Sequence, residues 1–338
     1  MIRDAMREFY DYYYSSIDFK KWRDEFAFEI YSCLSSNIDY GEVKTVTALC
    51  DVMKAKEFRA GSGRLRIESR KTHSRSTSGV KFDYIGKQAV TELADMVIVS
   101  LVTFQRKVLL LKTAFIQNKK ATPNRKTSDT WGIDQKQLFL LKNFPTFDGV
   151  SGIFNNKTMS FLNHTATLGN YGLFSSSGDM IFLTAKNTFC NQKGVGNITL
   201  EDMRSAATNS MAYEYNFHSQ SFCRRCHKYC MDCSNGRMDC IMPFSQLNYL
   251  PFFNNYSYAL DVHEIVKDLT FFNIGEPSNV YGRVTDKNLY DFTSDLLLAA
   301  FGYSLGDGYF SNDKNVSRNI MDDDVNVILN ILELGKEY

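Results

Sequence analysis

Two apolar runs around a short polar break constrain the fold more than any other stretch of this chain. Residues 96–102 are almost continuously apolar, as a strand buried on both faces would be. Residues 108–116 form a second run, rich in β-branched and aromatic side chains. Thr103, Phe104, Gln105, Arg106 and Lys107 separate them, so the pair reads as an antiparallel hairpin. A turn centred near Arg106 sets Asp95 opposite Gln117. Strand alternation then puts Gln117 and Lys119 on one face. A carboxylate, an amide oxygen and an ammonium are expected to meet at one end of the hairpin.

That trio has chemical use. A carboxylate and an amide oxygen suit a hard cation such as Mg²⁺ (or Mn²⁺), which keeps waters and also accepts phosphate oxygens. Such an ion acidifies a bound water and polarises a phosphate, and a neighbouring Lys can orient the water or stabilise developing charge. Asp95 followed by a hairpin and Gln117-Asn118-Lys119 resembles the PD-(D/E)xK restriction-endonuclease-like nuclease core, with Gln in place of the usual second acid. The surrounding words ELAD, FIQNKK and WGIDQKQLFLLKNFPTF look like nuclease subunits of bacterial anti-phage defence systems. The likeness covers about sixty residues of the 338. It implies Mg²⁺ on Asp95 and Gln117, with Lys119 positioning water or stabilising the transition state. It also implies a third acid from the helix before the hairpin, for which Glu29 is the candidate, and a supporting amide on the helix after it, Gln137 rather than Gln135. Glu92 ranks below Asp95, because strand positions three apart point to opposite faces. The plain alternative is that Asp95 and QNKK are ordinary strand boundaries.

The expected fold class is α/β, a restriction-endonuclease-like mixed sheet flanked by helices. A nuclease domain is assigned to residues 1–150 and a mainly helical, Cys-rich C-terminal domain to residues 151–338. Net charge is +1, from 39 basic and 38 acidic residues, so any attraction to nucleic acid must be local. The densest basic cluster, Arg59 to Lys81, contains Arg64, Arg66, Arg70, Lys71 and Arg75 among Gly and Ser, and leads into the hairpin. It reads either as a phosphate-backbone contact or as a solvated loop.

Upstream, residues 18–34 repeat Phe19, Trp22, Phe26, Ile30 and Cys33 at helical spacing, with Glu29 beside that stripe. A second helix is expected over 42–57. Asp134 can cap a helix running to Asn143. Glycine- and asparagine-broken runs between 151 and 189 suggest hairpins. Further helices are expected after Ser257, over 292–301, and from Asp322 to Gly335.

Eight cysteines in a chain whose first residues lack an apolar leader argue for reduced thiols or metal, in the cytoplasm. No run approaches the ~20 apolar residues of a membrane helix. Five cysteines fall between 223 and 240. Cys223, Cys226, Cys230 and Cys233 form two C-x₂-C pairs, the usual components of a structural Zn²⁺ site. Their tight spacing leaves two readings open. One is a compact metal knuckle; a mixed case has one pair completed by Cys190, Cys240, His218 or His227. The other is a helix with a buried cysteine stripe.

The expected function is a metal-dependent DNA endonuclease of anti-phage or anti-plasmid defence. Its partners would be DNA and other protein subunits of a defence complex, an ATPase or sensor, with control by them or by homo-oligomerisation; no membrane is expected. The alternative is a catalytically degenerate, zinc-stabilised adaptor binding nucleic acid or protein.

Overall fold

The computed structural model describes residues 2–71, 79–122, 129–150, 155–163, 167–187, 196–199, 222–223, 228–229, 258–259, 261–312 and 326–335. The chain opens with α1 (Ile2–Phe9), a π-helical turn (Tyr10–Tyr14), α2 (Ile17–Ser36) and α3 (Glu42–Val52). The strands β1 (Lys56–Ala60), β2 (Gly63–Lys71), β3 (Gly79–Tyr84), β4 (Lys87–Glu92), β5 (Met96–Phe104), β6 (Lys107–Lys120) and β7 (Thr130–Ile133) follow. Next come α4 (Gln135–Asn143), β8 (Phe147–Gly149), β9 (Thr158–Met159), β10 (Gly169–Phe174), β11 (Met180–Thr184) and β12 (Gly196–Thr199). Short strands β13 (Phe222–Cys223), β14 (Lys228–Tyr229) and β15 (Tyr258–Ala259) lead to α5 (Val262–Thr270), β16 (Glu276–Val280) and β17 (Arg283–Val284). The chain continues with α6 (Lys287–Phe301), β18 (Tyr303–Ser304), β19 (Ser311–Asn312) and β20 (Asn326–Leu334).

The result is a mixed α/β architecture around one large, mostly antiparallel sheet of ten strands. Its main path runs β1-β2-β20-β5-β6-β10-β11-β15, with β16 on the first half of β6. Only the β20–β5 and β10–β6 contacts along it are parallel. The central hairpin has the expected register: Met96 faces Ile116 and Val97 faces Phe115, with one irregularity next to the turn. Gln105 and Arg106 both have positive φ, 50° and 67°, the twist that suits a two-residue hairpin loop.

Every residue of β5 and β20 is buried. This corrects the expected last helix. Val327, Ile328, Leu329, Ile331 and Leu332 are apolar on both faces rather than along a stripe, which suits a strand covered on both sides. Asp322 to Asp324 lie outside the described residues.

Helices pack on both faces. Phe26, Ile30 and Leu34 of α2, Val46 and Leu49 of α3 and Ile265 and Val266 of α5 share one core with Met96, Ile98, Ala114 and Ile116. Leu138 and Leu141 of α4 and Leu296 and Leu297 of α6 share another with Val97, Val99, Leu111 and Phe115. The boundary drawn at residue 150 does not coincide with a break in the sheet, since β10, β11, β16 and β20 are hydrogen-bonded into it with β2, β5 and β6. The expected helix over 42–57 ends at Val52, and the chain enters β1. The helix expected after Ser257 starts at Val262, capped by Asp261, whose Oδ1 accepts from Glu264 N at 2.9 Å. The basic stretch is not a loop throughout: residues 63–71 form β2, with Leu65 and Ile67 buried between the arginines.

Candidate functional site

Asp95 sits where β5 begins, with its backbone tied on both sides. Its N–H donates to Ile116 O at 3.0 Å, and its carbonyl accepts from Asn326 N at 3.3 Å and Asn326 Nδ2 at 3.1 Å. The carboxylate is therefore aimed by the two central strand pairings. Its Oδ2 accepts from Asn118 N at 2.7 Å and from Gln117 Nε2. Gln117 Oε1 in turn accepts from Gln137 Nε2. Asp134 Oδ1 caps α4 by accepting from Gln137 N at 2.9 Å, and Gln137 Nε2 also donates to Glu92 O at 3.4 Å. Gln117 and Gln137 are 2% and 5% exposed, so a buried amide relay ends on Asp95, which is itself only partly buried as a residue.

Lys119, two residues beyond Gln117, is partly exposed, and its Nζ lies 3.7 Å from Glu42 Oε1. Glu42 opens α3, and its other oxygen accepts from Lys120 N at 3.2 Å. The helical acid beside the hairpin terminus is thus Glu42. Glu29, expected there, is half-exposed on α2 and pairs with Lys56 on β1. An acid in the first turn of a helix suits the positive end of the helix dipole, but nothing in the sequence ties Glu42 to the hairpin terminus.

Burial pushes the Asp95 carboxyl up to about 6, and the nearby charge of Glu42 pushes the same way. The Asn118 N–H, the Lys119 ammonium and the Gln117 amide oppose the rise. A nearby cation would oppose that rise and favour the ionised carboxylate. The oxygens beside the hairpin terminus are unequally free: Glu42 Oε2 accepts from Lys120 N and Glu42 Oε1 lies 3.7 Å from Lys119 Nζ. Asp95 Oδ1 accepts no hydrogen bond among the described residues, and Glu42 supplies a second carboxylate. Gln117 presents Nε2 to Asp95, so its oxygen becomes a ligand only if the amide turns over and Gln137 turns with it. Among the described residues no three His, Cys, Asp or Glu side chains gather as a metal cluster.

The expected nucleic-acid residues divide. Arg64 is bonded to Glu57, which also holds Arg59. Arg66 is bonded to Glu68 and to Tyr303 Oη at 3.0 Å, with Glu333 at 3.5 Å. Arg70 makes no ion pair among the described residues. It faces Val327, which faces Val97, so it shares the sheet face of Asp95. Two strand spacings, about 10 Å, separate the two rows. The Lys71 side chain, His73 and Arg75 lie outside the described residues.

In the cysteine-rich segment the backbone of β13 pairs antiparallel with that of β14, Cys223 facing Lys228. Residues 222–223 and 228–229 are thus extended. Cys226, Cys230, Cys233, Cys240, Cys190, His218 and His227 lie outside the described residues. In comparisons with protein-family models, curated proteins and solved structures, nothing matches this chain.

Proposed function

We propose that the protein is a metal-dependent endonuclease acting on DNA, with Asp95, Gln117, Lys119 and Glu42 at its centre. The observation that carries this reading is the convergence of Asp95, Gln117 and Lys119, with Glu42 brought to Lys119, at the partly exposed end of the β5–β6 hairpin. Asp95 Oδ1 and Glu42 would hold Mg²⁺ or Mn²⁺, which when bound supplies an acidified water and a polarised phosphate. Lys119 carries the positive charge that orients the attacking water or offsets charge on the phosphorane oxygens. Gln137 fixes the rotamer of Gln117, and Asn118 N–H fixes that of Asp95. Arg70 offers a backbone-phosphate contact on the same sheet face. The expected products carry a 5′-phosphate and a 3′-hydroxyl. Membership of a defence complex, control by an ATPase or sensor subunit, and a structural zinc on the cysteine-rich segment rest on the resemblance and on cysteine spacing.

Incubation of supercoiled plasmid and of single-stranded RNA with the purified chain, with Mg²⁺ or with chelator, tests the proposal. The expected result is nicked or linear plasmid only with metal. Digestion of RNA alone would redirect the reading to an RNase. The rival adaptor reading draws on Gln117, whose amide presents N–H rather than oxygen to Asp95. An inactive Lys119→Ala variant that still folds and binds DNA would remove it.

A further inference from the structure

Consecutive residues of a strand point to opposite faces, and the end of β6 uses both. Gln117 and Lys119 serve the face of Asp95. Lys120, the last residue of β6, turns the other way, toward the connection between α2 and α3. Its Nζ donates to the carbonyls of Ile38 and Tyr40, while its backbone N–H donates to Glu42 Oε2 at 3.2 Å. The connection has little else to hold it. Asn37 ends α2, Tyr40 N closes a local turn on Asn37 O at 3.0 Å, and Gly41 caps α3 without a side-chain hydrogen bond. Ile38 and Tyr40 are 37% and 49% exposed, and the Lys44 ammonium of α3 lies 5.2 Å from the centre of the Tyr40 ring. Among the described residues, the hydrogen bonds that tie 38–42 to the sheet all come from Lys120.

We infer that Lys120 is a positioning residue: its ammonium clamps the 38–40 backbone and thereby holds Glu42 against Lys119 and the Asp95 site. This inference rests on the proposed nuclease reading for its functional meaning, but its structural content does not. An ammonium that spans two carbonyls of one short connection fixes where α3 begins, and with it the carboxylate of the first helical residue. The chemistry needs a cation with several donors and reach. Arg can substitute, whereas an uncharged stem of similar length cannot.

Wild type, Lys120→Met, Lys120→Arg, Glu42→Gln and the double variant Lys120→Met/Glu42→Gln are compared, after thermal melts show that each folds. Metal-free amide hydrogen exchange over residues 37–46 is the first readout, and calorimetric Mn²⁺ affinity is the second. Lys120→Met should speed exchange of that segment by about tenfold, leaving the β5 and β20 amides unchanged. It should also weaken Mn²⁺ binding about tenfold, within the range for loss of a supporting partner. Lys120→Arg should stay within about threefold of wild type on both readouts. The double variant should bind Mn²⁺ no worse than Glu42→Gln, because the two residues act in series. Exchange in Lys120→Met equal to wild type overturns the clamp, and so do additive losses in the double variant. A wild-type chain that binds no Mn²⁺ sinks the nuclease reading instead, and the exchange comparison then decides the clamp by itself.

Discussion

The β5–β6 hairpin carries two polar centres, and they differ in almost everything but their strands. One lies at the strand ends: Asp95, Gln117 and Lys119, joined by Glu42 and Gln137. The other lies mid-strand, where Asn330 of β20, Ser100 of β5 and Lys112 of β6 face one another in a row. Asp268 of α5 and Glu276 of β16 contribute charges beside Lys112. Lys112 is 1% exposed, and its Nζ, Ser100 Oγ and Asn330 Oδ1 find no hydrogen-bond partner among the described residues. Burial pushes the Lys112 ammonium down to about 7 and the Asp268 carboxyl up to about 7, close to where Asp95 titrates. Perturbed protonation therefore does not distinguish a site from a buried charge cluster. Hydrogen-bonded aim and partial exposure do. The strand-end centre has both, and the mid-strand centre is sealed beneath α5.

The sharpest break of this comparison is a pair of lysine variants. Lys119→Ala should lower cleavage by about 10²–10³-fold, the loss expected for one preorganised charge donor. Lys112→Met, once shown to be folded, should leave cleavage within about threefold of wild type. Equal losses in plasmid assays would erase the distinction. The next contrast is between acids. Glu42→Gln should cost about 10–100-fold, whereas Glu29→Gln, a half-exposed partner of Lys56, should stay within about twofold.

The mid-strand centre should speak through stability. Asp95 and Asp268 bind their protons more tightly in the folded chain than in the unfolded one. Between about pH 4 and about 7 the folded state then holds more protons, and stability falls as pH rises. Lys112 binds its proton more weakly when folded, so above about 7 the unfolded state holds more and stability rises again. Thermal midpoints at about pH 5, 7 and 9 should pass through a minimum at the middle value. Asp268→Asn should flatten the acid limb, and Lys112→Met the alkaline limb, each by at least about 2 °C. The smallest effect is expected at the basic cluster. Arg70→Ala should reduce the salt slope of DNA binding by about one, while Arg64→Ala should change that slope less, since Arg64 and Arg59 share the Glu57 carboxylate.

The hairpin register was legible in the sequence because two apolar runs and one polar break leave a single pairing that keeps both strands buried. Gln137 was placed by resemblance, and its relay to Gln117 needed the helix cap at Asp134 to become visible. Glu42 was missed because its partners, Lys119 and Lys120, are distant in sequence and meet it only through the fold. The arginines of β2 read as a loop because charge and serine masked the alternation of Leu65, Ile67 and Ser69. The last strand read as a helix because an apolar run without polar interruption fits either period until its neighbours are known.

On the proposed reading, Asp95 and Glu42 hold a divalent ion at the hairpin terminus. Crystals soaked in Mn²⁺ and measured at the metal's absorption edge test it most directly. An anomalous peak is expected about 2.1 Å from Asp95 Oδ1, with a Glu42 oxygen in the same coordination shell. Full Mn²⁺ occupancy elsewhere, with no peak at Asp95, would contradict it.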